Sequence, residues 1–89
     1  HGGPLMKKIR IIEAPPSEDI PAAALQELVG KVVPFRGSGS AGGHFTVDAY
    51  DLLGVLGDDA PQMKSWLDDN IQHMAGTRFE IEEDVCEVV

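Results

Sequence analysis

Cys86 and His44 are the side chains best suited to covalent chemistry in this chain, which holds one cysteine and three histidines. A thiol becomes a nucleophile when a base such as His44 or His73 takes its proton. It also needs a cationic neighbour or a helix N-terminus to lower its pKa. Cys86 lies instead between Asp84 and Glu87, whose charges favour the neutral thiol. A partly buried strand cysteine is the expectation. Ser38 or Ser40 with His44 and Asp48 has the composition of a hydrolytic triad, but both serines belong to a glycine loop that cannot fix them in place.

Metal and phosphate chemistry are no better served. Asp69 and His73 stand four residues apart, which places two ligands on one helix face, with Asp68 adjoining. A zinc centre needs three or four ligands. Glu80, Glu82, Glu83 and Asp84 supply oxygens without the DxDxDG periodicity of a calcium loop. Gly37-Ser38-Gly39-Ser40-Ala41-Gly42 spells GxGxxG, with Asp58 about twenty positions on. That pattern binds a dinucleotide only when it opens a helix, and here it leads into strand-like His44-Phe45-Thr46-Val47. Acid–base catalysis needs a carboxyl whose pKa is raised in an apolar pocket; fifteen acids make neighbouring carboxylates unavoidable, and the sequence singles out no such pair. The expectation is no catalytic residue, no cofactor and no metal. A small enzyme using His44 or Cys86 stands as an alternative.

The charge is more informative. The net charge is −8, and it is lopsided. Residues 1–45 carry five basic side chains against four acids, whereas residues 46–89 carry two against eleven. Phosphate contacts want a basic stripe, so nucleic acid is not an expected partner. An anionic membrane surface is disfavoured on the same ground, and no apolar run reaches the length of a span. Acidity also serves the solubility of a bacterial cytoplasmic protein, and a single cysteine fits a reducing compartment.

The elements that must position these groups follow from periodicity. At 89 residues the chain has room for one modest core, and 43% hydrophobic with 25% charged residues is a globular composition. Residues 1–5 (HGGPL) read as a vector remnant before Met6, leaving 6–89 as one domain. Residues 7–14 alternate as a strand that Pro15 and Pro16 end. Ser17 or Asp19 is expected to cap a short helix carrying Leu25, Leu28 and Val29, stopped by Gly30. Residues 31–35 form a second strand, marked as an edge or bulge by Pro34. A flexible loop, 36–43, should hairpin it to a third strand, 44–47.

Asp48 with Asp51 caps a helix bearing Leu52, Leu53, Val55 and Leu56. Pro61 starts the best helix, with Met63, Trp66, Leu67, Ile71 and Met74 on one face and Gly76 behind it. Residues 78–89 alternate as a strand broken at Glu83-Asp84 by a bulge or corner. The expected fold is α+β in the order β-α-β-β-α-α-β(-β), a mainly antiparallel bent sheet of four or five strands resembling an SH3-like barrel with a helical insert. A ferredoxin-like split βαβ is the alternative.

Size and charge together point to a non-catalytic acidic interaction module, binding a basic protein or self-associating as a homodimer. The expected interface comprises Asp58, Asp59, Trp66, Asp68, Asp69, Glu80, Glu82, Glu83 and Asp84. The alternative from another class is a small-molecule-binding domain, with the 36–43 loop as a flap over a pocket beside Trp66.

Overall fold

Strand β1 (Lys8–Ile11) organises the first of two sheets. Its alternation is strict: Ile9 and Ile11 are fully buried while Lys8 and Arg10 face solvent. In this computed structural model, which describes residues 7–38, 42–73 and 78–89, β1 lies between two antiparallel neighbours. On one side is β2 (Val32–Pro34), with Ile9 opposite Val33. On the other is β6 (Cys86–Val88), with Ile11 opposite Cys86. Pro34 therefore sits on an edge strand, where its missing N–H breaks no ladder.

The second sheet has β4 (His44–Asp48) at its centre, between β3 (Gly37–Ser38) and β5 (Arg78–Glu82). All of its pairings are antiparallel, running from His44 opposite Glu82 to Asp48 opposite Arg78. The chain changes sheets at two corners. At the first, the Phe35 N–H donates to the Lys7 carbonyl in sheet one, and the next residue, Arg36, donates to Thr46 in sheet two. At the second, a 3-10 turn at Glu83–Val85 does the same work. The Glu83 N–H donates to the Gly43 carbonyl, while the Val85 carbonyl accepts from Ile12 and Glu13. This is the corner that the interrupted alternation at Glu83-Asp84 anticipates.

The fold is a small α+β structure with antiparallel sheets and, among the described residues, three α-helices; its order departs from the expected one by an extra short strand, β3, between the second and third expected strands. The sheet count is corrected. Among the described residues, six strands in two sheets replace four or five in one, and no closed barrel forms. In a split βαβ another strand would separate the two that flank the first helix, whereas β1 and β2 pair directly. The expected hairpin is also corrected: β4 pairs with Gly37–Ser38, which lies within the stretch read as loop, and β2 turns to β1.

Helix α1 (Ala22–Gln26) is shorter than expected and starts after Pro21, with no side-chain cap. Ser17 instead accepts from the Asp19 N–H in a local turn. Gly30 ends the segment at φ +88°, and its N–H returns to the Ile11 carbonyl. Helix α2 (Ala49–Val55) is capped as read, Asp48 accepting from the Tyr50 and Asp51 N–H groups. Helix α3 (Pro61–Asn70) has Pro61 in its first turn and no cap from Ala60. A distant side chain serves it: Glu27, just past α1, accepts from the Met63 N–H at 2.7 Å. Leu25, Leu28, Leu52, Met63 and Leu67 meet Ile9, Ile11, Val33, Val47 and Ile81 in one core. Residues 1–6, Ser40, Met74 and Gly76, and the side chains of Ser38 and His73, lie outside the described residues.

Candidate functional site

The reactive residues are kept apart. His44 begins β4, opposite Glu82, with Nδ1 3.1 Å from the Gly42 carbonyl. Asp48 ends the same strand about 13 Å away at 3.3 Å per residue, and its carboxylate is occupied capping α2. Cys86 lies in the other sheet, paired with Ile11. Burial pushes its thiol up to about 11, the opposite of what an activated nucleophile needs. Among the described residues no three His, Cys, Asp or Glu side chains gather as a metal centre would require. The glycine motif leads into β4 rather than a helix, so it presents no helix N-terminus to a phosphate.

The acidic residues expected to form one interface are distributed over four places. Asp58, Asp68 and Asp69 border a shallow depression of about 370 Å³ on the outer side of α3, with Lys64 among them. Asp59 is tied to Lys31 by a 2.6 Å ion pair. That hydrogen bond holds its carboxyl below the usual carboxylate range. Glu82, Glu83 and Asp84 are exposed along the end of β5 and its corner.

Trp66 and Glu80 belong to a different feature. The indole is half-buried, its ring 6.1 Å from that of Phe79. Together they wall an open groove of about 600 Å³. Asp19 and Ile20 line it from the irregular segment before α1, Asn70 from the end of α3, and Arg78 and Glu80 from β5. The Asn70 amide donates to the Trp66 carbonyl and finishes that end of α3. Ser17, Asp19 and Ile20, from the segment before α1, form the side of the groove facing Trp66 and Phe79.

A narrower slot of about 90 Å³ adjoins the groove, and the two share Ser17, Ile20, Phe79 and Glu80. Its floor is core: Leu25, Leu28, Leu52 and Met63. Pro15 and Pro16 stiffen its mouth. An apolar group entering the slot would gain contacts with these core side chains.

Of the residues expected at the interface, Trp66 and Glu80 line this groove; Asp19, Ile20, Asn70, Arg78 and Phe79, which line it with them, were not among those expected. Pro15 and Pro16, which line the adjoining slot, are the signal the sequence offers for this segment, since two fixed φ angles after a strand make a stiff wall rather than a slack linker. No helix among the described residues is long and apolar enough to cross a membrane. Compared with protein-family models, with curated proteins and with solved structures, the chain matches none.

Proposed function

We propose that this chain is a non-catalytic interaction module that docks a basic protein partner on the face made by α3 and the start of β5. The observation that carries the reading is Trp66, half-buried against Phe79, walling an open groove to which Asp19 and Glu80 contribute negative charge. Aromatic anchors of this kind dominate interface energies. Indole faces attract guanidinium and ammonium groups, and surrounding acids steer a basic partner toward the surface. Asp58, Asp68 and Asp69, also on or beside α3, extend the negative field. Asp59 contributes less, being neutralised by Lys31.

The alternative of a small-molecule-binding domain draws support from the slot beside the groove. The raised pKa of Cys86 weighs against an enzyme that relies on its thiol. In this reading the two sheets, exchanging chain at two corners, are an opened form of an SH3-like barrel. The setting is a reducing cytoplasm, in which Cys86 stays a thiol.

The test is capture of partners from cell extract at about 0.05 and 0.5 M salt, with light scattering on the purified chain. A partner held at low salt, released at high salt and lost with Asp19→Lys plus Glu80→Lys is the expected result. Capture indifferent to both salt and charge reversal overturns the proposal, as does a salt-insensitive homodimer with no other partner.

A further inference from the structure

We infer that the groove receives an extended cationic peptide segment, with an aliphatic side chain of valine or leucine size in the slot and a neighbouring arginine or lysine over Trp66. The inference rests on the docking face proposed above and names its ligand chemistry. Three observations converge on it. The slot and groove are continuous, sharing Phe79 and Glu80. At about 90 Å³, with a floor of Leu25, Leu28, Leu52 and Met63, the slot suits a small branched aliphatic side chain better than an aromatic ring.

The second observation is charge. Asp19 and Glu80 stand in the groove against one cation, Arg78, which lies opposite Asp48 across the β4–β5 ladder. The remaining balance is negative, and an indole face beside it suits a guanidinium. The third is backbone. β5, which supplies Arg78, Phe79 and Glu80, is the edge strand of its sheet among the described residues. An extended segment alongside it meets main-chain groups that can pair with its own.

Trp66 is the chain's single tryptophan, so its fluorescence reports occupancy directly. The probe is an acetylated, amidated Gly-Arg-Leu-Arg-Gly peptide, compared with Gly-Glu-Leu-Glu-Gly and Gly-Arg-Gly-Arg-Gly. A saturable response to the first peptide is expected, with each comparison peptide binding about tenfold more weakly or worse. Asp19→Lys with Glu80→Lys, both at exposed positions, should abolish the response while circular dichroism stays unchanged. Equal affinity for the acidic or glycine peptide overturns the inference, and so does no saturable response at millimolar concentration. Salt-sensitive capture of a partner without any peptide response overturns this inference alone. Peptide binding without capture of any partner supports the groove chemistry and overturns the protein-docking reading.

Discussion

Cys86 sits on a strand beside Ile11, where burial penalises its thiolate. Its pKa is raised from 9.0 to about 11, so the folded chain holds the proton more tightly than the unfolded one. Stability attributable to this group is complete below about pH 9 and declines as pH rises toward 11. Wild type should therefore lose more stability than Cys86→Ala across that window, measured by urea melts at stepped pH. Iodoacetamide alkylation should rise with a midpoint near 11 rather than 9.0; a midpoint at 9.0 refutes the burial account. The direction of this shift was legible in the sequence, although the cause expected there was flanking acid rather than desolvation. His44 and Asp48 were legible as residues but not as a pair, because only the strand geometry places them at opposite ends.

Helices α2 and α3 show what local sequence can and cannot carry at the scale of elements. The α2 cap is written in adjacent residues: Asp48 precedes the helix and accepts from two of its first N–H groups. The α3 cap comes from Glu27, whose sequence position says nothing about residue 63. Both should matter. Asp48→Ala is expected to cost about 0.5–2 kcal/mol, and Glu27→Ala a similar amount, since a carboxylate bonded to a helix N-terminal N–H gains from the dipole as well. Chemical denaturation measures both, and Glu27→Gln should recover part of the loss by keeping an acceptor. A Glu27→Ala protein as stable as wild type would show the contact to be incidental. Strand β3 was illegible for a different reason. Gly37 and Ser38 offer no apolar alternation, and the pairing is fixed instead by the corner at Arg36.

For the molecule as a whole, the radius of gyration of 12.6 Å is close to the roughly 12 Å expected for a single globular domain of this length. The α+β character was readable because apolar periodicity is local. How strands group into sheets was not, because that depends on where the chain bends. The net negative balance was equally plain in the sequence, but the fold spreads those acids over the α3 depression, the Trp66 groove and the second corner. The corners have a mechanical result. Each joins a strand of one sheet directly to a strand of the other, so neither half can come loose without dragging on its counterpart. Melting followed by Trp66 emission, which senses the second sheet through Phe79, should coincide with melting followed by backbone circular dichroism. Separate midpoints would mean that the halves let go one at a time.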